Sequence, residues 1–470
     1  MIKKLIVTIL SVFLLIIPTS CMYDLAGENQ NGNGENNPNL PSVNLDYFTG
    51  SFSSMHTFVS LNLFTENSIK ANSVQSGIKK IFDTYNNVSD PQLSKFVNEY
   101  TGQIFDKKII EENILKEDTK ELAKLNYYRH LDNASDELVE LLSYANQMKN
   151  ETNGYFNPYL GFLNVRWKTV IEGFSNPNLV SLGESIYYSE IARNAEIIIE
   201  GNSITLGTKK NKNDSAYQDY LNGYLVDLGG IAKGYATEKA NDYIIKSGHK
   251  YYLLNAGASN IVTGKFNNKN NDNWEISISY PFGYKQDNPT ITIKDGYYYV
   301  DDKKSTAKVV NDSKVYYGVG NLNMDFVNKN KMKINDVYFD TTSTNFFKIL
   351  SIDKLKTQSI GSLPATYFNI KDQAVVTSSP QQQHVYIDGE MYHHLLNPFT
   401  GRPVDIDEAG KDSVTIVGGH SGMLDAYSTA LFSMNLDEAK KFVKDKNLEV
   451  YFIVNNEVIH LKGSELWEKK

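Results

Sequence analysis

"GYLVDLGGIAKGYATEKANDYII", residues 223–245, is the stretch whose reading decides the fold. An apolar run, two glycines and then apolar residues at helical spacing read as a strand, a tight turn and a helix. A glycine turn at a helix N-terminus offers backbone N–H groups to an anion, and Lys233 adds a positive charge beside it. Neither the G-x-G-x-x-G nor the Walker A spacing is present, which excludes a dinucleotide-fold or P-loop reading. Taken alone, Gly229 and Gly230 are better explained by a tight strand–helix corner.

Two further stretches carry chemistry-bearing residues. In "HSGMLDAYSTALFSM" (420–434), Ser421 reads as an N-cap, and Asp425 and Thr429 lie four apart on one helix face. A carboxylate beside a hydroxyl suits Mg²⁺, a hard cation that keeps substrate phosphates in its other positions. Dipole compensation by Asp425 and a back-bonded Thr429 are the plain alternative. "QHVYIDGEMYHHLLNPFTGRPV" (383–404) alternates as a hairpin with Asp388-Gly389 at its tip. It leads His394 into an Asn397-Pro398 and Thr400-Gly401 turn. A histidine there is either a general base near neutral pH or a hydrogen-bonded hairpin residue. His393 alternates to the opposite face.

Working outward, "SMHTFVSLNLF" (54–64) reads as a strand, and 73–90 and 135–149 read as amphipathic helices. "NGYFNPYLGFLNVRWK" (153–168) reads as an aromatic-rich loop, and "YYLLNAGASNIVTGK" (251–265) as strand, turn, strand. Residues 284–365, rich in Tyr, Asn, Lys and Asp, read as an inserted strand-rich lobe. The C-terminal part reads as helices near 421–434 and 436–446 and a closing strand pair. The fold class is therefore mixed α+β, with largely antiparallel sheets and interspersed helices in a two-lobed catalytic domain.

The chain has 470 residues, 41% of them hydrophobic, and a net charge of −8 without basic blocks, which excludes a nucleic-acid-binding reading. Lys3 and Lys4 precede the apolar run "LIVTILSVFLLII" (5–17), of signal-peptide length. "PTSC" follows, and its Cys21 is the single cysteine of the chain, which resembles a lipoprotein processing site. The expected organisation is a signal peptide over 1–20 and a lipid-anchored flexible tether over 21–45. A domain over 46–465 follows, held at the extracytoplasmic face of the cell membrane.

The order of "MHTFVSLNLF", "GYFNPYLGFLNVRWK", "DLGGIAKGYA", "NAGASNIVTGK", "VVTSS", "YHHLLNPFTGRPV" and "LDAYSTALF" along the chain resembles the ApbE family of FAD:protein FMN transferases. The resemblance covers most of 54–265 and 367–460. It implies FAD as substrate, Mg²⁺, and transfer of the FMN half to a Thr or Ser hydroxyl of an extracytoplasmic acceptor protein, with release of AMP. It places Asp425, Thr429 and a backbone carbonyl, Ala232 in preference to Ala236, around magnesium, and makes His394 the base. It sets Met55, Tyr155, Phe156, Asn157, Lys233, Asn255, Gly257, Ser259 and Leu396 near the flavin or its phosphates. The chain departs from the family at Asn397 and Asn157, where Asp is usual, and in "NAGASN" and "TSSP". Hydrolysis of FAD to FMN and AMP, and a non-enzymatic ligand-binding role, are the alternative readings.

Overall fold

A computed structural model describes residues 45–281 and 364–466, except 99, 258, 268–271, 388–389, 456 and 464, together with Cys21–Met22 and six short strands between 291 and 340. The signal peptide, most of the tether and the Asp388-Gly389 tip expected from the sequence lie outside these residues.

The scaffold is a nine-stranded sheet whose spatial order is its chain order: β1 (Asp46–Ser54), β2 (Thr57–Thr65), β3 (Tyr252–Ala256), β4 (Asn260–Thr263), β5 (Ala374–Ser378), β6 (Ser413–Gly418), β7 (Glu449–Val454), β8 (Glu457–Lys462) and β9 (Glu465–Leu466). Every pairing is antiparallel. The strand expected over 54–64 is present as β2 from Thr57, and its first residues are the end of β1 and the turn of a hairpin. Met55 and His56 adopt φ of 50° and 54°, and this left-handed pair turns β1 into β2. Register places the 55–56 turn, the 257–259 turn, the end of β5 and the start of β6 at one end of the sheet.

Seven helices matter to the site: α1 (Ser68–Ser89), α2 (Asp136–Glu151), α3 (Gly161–Ile171), α4 (Leu182–Asn194), α5 (Ala232–Lys246), α6 (Ser421–Ser433) and α7 (Leu436–Asp445). In α1 the residues Ala71, Val74, Ile78, Phe82 and Tyr85 are buried at three- and four-residue spacing, and Asn67 caps its first turn. Helix α1 packs on α5, α5 on α6, and α6 on β5 and β6, so these helices cover one face of the sheet. Glycines set the spacing. A Cβ at Gly77 of α1 would lie 2.3 Å from the Tyr243 ring of α5, and one at Gly234 of α5 would lie 2.5 Å from Asp425 Cβ of α6.

Three expectations are corrected here. Residues 224–228 form no sheet strand, because their backbone bonds go to the 158–161 segment: Leu225 O accepts from Gly161 N at 3.0 Å, and Asp227 N donates to Pro158 O at 2.8 Å. The second half of the 153–168 loop is helix α3, because Phe162, Leu163, Val165, Trp167 and Val170 are all buried by neighbours. Ser421 is the first helical residue of α6, and His420 occupies the cap.

The chain divides into two compact units, Gly283–Pro364 belonging to one and the sheet with its helices to the other. The described strands of the smaller unit form two three-stranded antiparallel meanders: Ile291–Lys294, Tyr297–Val300 and Lys303–Lys308, then Met324–Asn328, Lys331–Ile334 and Val337–Asp340.

Candidate active site at one end of the sheet

The glycine turn is built by its own aspartate. Asp227 Oδ1 accepts from Gly229 N at 2.8 Å, and Oδ2 accepts from Asn164 Nδ2 of α3 at 2.7 Å. The ring of buried Phe156 closes beneath the turn, 3.3 Å from where a Gly230 Cβ would stand, and Thr429 Oγ1 is 3.8 Å from that point. Two residues later Ala232 opens α5.

Close packing of α5 on α6 brings the charged groups together. Asp425 is 8% exposed, and its Oδ2 accepts from Gly234 N at 2.8 Å. Burial raises its carboxyl to about 6, against the opposing pull of Lys233 and the Gly234 N–H. Burial lowers Lys233, and the charge of Asp425 opposes this. The Lys233 ammonium donates to Ser259 Oγ in the β3–β4 turn. Thr429 lies one helix turn from Asp425 and stays partly accessible while most of α6 around it is buried. Among the described residues no three His, Cys, Asp or Glu side chains cluster as a metal site. The Asp425 carboxylate and the Thr429 hydroxyl, one helix turn apart beside the start of α5, are hard oxygen donors of the kind Mg²⁺ takes while retaining water or phosphate ligands.

The two histidines separate as their alternation predicts. His393 is 0% exposed, with Leu395 N donating to its Nδ1 at 3.2 Å and its Nε2 donating to Val404 O at 2.8 Å. Both nitrogens are occupied, and burial pushes its pKa to about 3. His394 keeps an exposed ring. Its Nδ1 faces Gln383 O at 3.4 Å, so that nitrogen carries the proton and Nε2 keeps the lone pair. Protein atoms packed beside the accessible ring displace part of its water and lower its pKa to about 4; the Gln383 bond opposes this, and Lys233 and His384 add to it. His394 is therefore neutral at physiological pH with its basic nitrogen directed away from the turn.

The turn after His394 is fixed at several points. Asn397 Oδ1 accepts from Phe399 N at 2.8 Å and Thr400 N at 3.3 Å. Gly401 has φ +68°, and its carbonyl accepts from Trp167 Nε1 of α3 at 2.8 Å. Ser189 of α4 donates to Pro398 O at 2.6 Å, and Ser433 of α6 donates to Leu396 O at 3.3 Å.

The remaining candidates spread around this centre. Met55 lies in the β1–β2 turn, and neighbouring Thr57 crowds Gly257, whose φ is +69°. Asn255 lies on β3 and is half-buried. Tyr155 packs edge-on to Phe399 at 4.8 Å and donates to Glu438 Oε2 at 3.0 Å. Phe156 and Asn157 are 4% and 8% exposed. Asn157 Oδ1 accepts from Tyr159 N at 3.0 Å, while its Nδ2 is buried with no partner among the described residues. The same holds for both amide atoms of Asn260 and for Gln381 Oε1, so three amides in the site segments have hydrogen-bonding capacity to spare. The sequence reading omitted Asn260, Gln383 and His384. His384 was accessible to it, because a hairpin with its tip at 388–389 sets His384 opposite His393.

A family model described as the ApbE family matches residues 55–299 and 351–452. The FAD:protein FMN transferase of Klebsiella pneumoniae is 20% identical over 338 residues, 72% of this chain and 75% of that protein. The FAD:protein FMN transferase of Treponema pallidum is 33% identical over 85 residues, 18% of this chain and 23% of that one. In fold, the flavin transferase ApbE from Vibrio cholerae superposes with a TM-score of 0.51 at 16% identity, covering 89% of this chain and 98% of that one. The ApbE protein from Thermotoga maritima gives 0.53 at 17% identity, covering 89% and 97%. The glycine turn, the paired α5 and α6 and the His394 turn thus stand in a chain that belongs to the ApbE family.

Proposed function

We propose that this protein transfers the FMN half of FAD to a Thr or Ser hydroxyl of an acceptor protein and releases AMP. The observation that carries this reading is the meeting of Lys233, Asp425 and a neutral His394 at one end of the sheet. The hydroxyl oxygen attacks the phosphorus on the FMN side of the pyrophosphate. An O–P bond forms, the bridging P–O bond breaks, and the leaving oxygen departs with AMP. His394 Nε2 takes the hydroxyl proton, a contribution of roughly 10²–10⁴-fold in such reactions. Lys233, held by Ser259, is the cation that draws the phosphates to the α5 N-terminus.

Asp425, Thr429 and the Ala232 carbonyl would hold Mg²⁺, which when bound neutralises charge developing on the transferring phosphoryl group. The unpaired polar atoms Asn157 Nδ2, Asn260 Nδ2 and Oδ1, and Gln381 Oε1 support a polar ligand in these segments. Met55, Tyr155, Phe156, Asn255, Gly257 and Leu396 form the surrounding wall. Cys21 is the acylated residue in this reading and fixes the protein to the outer face of the cell membrane. Its test is release of the protein into solution by Cys21→Ala.

The activity is tested by incubating the protein with FAD, Mg²⁺ and an acceptor domain, then reading flavin fluorescence on the denatured acceptor. A labelled acceptor is expected. AMP release without label would replace transfer with hydrolysis, and neither product with no FAD bound would overturn both.

A further inference from the structure

One short turn carries two histidine contacts. Ser379 to Gln383 joins β5 to the hairpin through a 3-10 turn, Pro380–Gln382. On one side, the Gln383 carbonyl accepts from the backbone N–H of His394 at 3.2 Å and faces its Nδ1 at 3.4 Å. On the other, His384 Nδ1 lies 2.9 Å from the Gln381 carbonyl. A carbonyl only accepts, so His384 carries its proton on Nδ1. Ser379 Oγ accepts from Gln381 N at 3.3 Å and closes the turn's start. The half-buried His384 ring packs edge-on to Tyr386 at 5.6 Å. The carbonyl that sets the tautomer of His394 therefore belongs to a turn that His384 ties down.

Resting on the reading of His394 as the proton acceptor, we propose that His384 is a positioning residue for the transfer. Its Nδ1–H holds the Gln381 carbonyl, and the turn so fixed presents the Gln383 carbonyl that keeps the lone pair of His394 on Nε2. Without the tie, the turn is held only by the bonds of Gln383 N to Pro380 O and of His394 N to Gln383 O, the carbonyl is less firmly aimed at Nδ1, and part of the His394 population places its proton on Nε2, where it cannot accept one. The charged and titratable groups facing His394 are Lys233 from α5 and His384 from the hairpin, and both oppose its protonation.

Two variants separate the hydrogen bond from the ring. His384→Asn keeps an amide donor near the Nδ1 position, and His384→Phe keeps the ring without the donor. With the full chain, FAD, Mg²⁺ and an acceptor domain, His384→Phe is expected to lower kcat about tenfold and leave KM for FAD within about twofold. His384→Asn is expected to stay near wild type. Imidazole ¹⁵N NMR should show Nδ1–H at His394 in the wild type and His384→Asn, and both tautomers in His384→Phe. Wild-type kcat and an unchanged tautomer in His384→Phe would overturn the proposal. So would a His384→Asn variant as slow as His384→Phe, which would assign the loss to ring packing. A wild type without transferase activity would remove the reading of the activity, while the tautomer comparison would still decide the positioning of His394.

Discussion

Asn397 occupies a turn where its side-chain carbonyl takes two backbone N–H groups. An aspartate oxygen accepts the same two bonds, so the departure from the family at this position leaves the turn intact. Asn397→Asp is expected to keep wild-type thermal stability and transfer rate, whereas Asn397→Ala should lose about 1 kcal/mol in denaturant titration. A lowered rate in the Asp variant would give the amide a chemical role. His394→Ala should retain FAD binding by fluorescence titration and lose transfer by roughly 10²–10⁴-fold. His393 supplies a stability prediction. Its folded pKa is about 3 against an ordinary 6.5, so below the unfolded value the unfolded chain takes up the proton first. Its contribution is complete above pH 6.5 and is lost as pH falls toward 3. Melting temperatures measured from about pH 7 down to pH 4 should fall more steeply for wild type than for His393→Gln. Parallel curves would contradict the assignment.

Among the elements, the contact of α5 on α6 has the least room for change. Gly234→Ala places a Cβ 2.6 Å from the Ser421 carbonyl as well as against Asp425, and backbone cannot yield as a side chain does. The cost is about 1–3 kcal/mol, seen in the melting temperature, with weakened Mg²⁺ dependence of transfer. Unchanged values for both would show the helices free to separate. These two helices were legible in the sequence because apolar spacing and the four-residue separation of Asp425 and Thr429 are local signals. The strand read before the glycine turn was not legible. An apolar run such as Tyr224 to Leu228 is buried equally by a sheet and by a loop segment like 158–161, and only the three-dimensional partner decides. The left-handed Met55-His56 turn was hidden for a related reason, since neither residue carries the glycine or asparagine that announces such a conformation.

Across the whole molecule, the sheet keeps chain order despite long excursions between β2 and β3 and between β4 and β5. The second excursion leaves β4 at Thr263 and rejoins β5 at Ala374, the end of the sheet away from Ser259 and Ser378. Strands Trp274–Ser279 and Pro364–Ile370 are neighbours in one small sheet. Replacing 283–364 with a short loop should therefore leave FAD binding and the melting temperature of the remaining protein near wild type. Loss of FAD binding would make the smaller unit part of the ligand site. The mixed α+β class followed from alternating helical and strand-like patterns, whereas the order of the sheet depends on pairings between distant residues. The two glycine contacts on α5, Gly77 against Tyr243 and Gly234 against Asp425, also have a mechanical consequence. A helix gripped from both sides at such close range can neither slide nor roll without collision, which makes Ala232 and Lys233 stationary reference points.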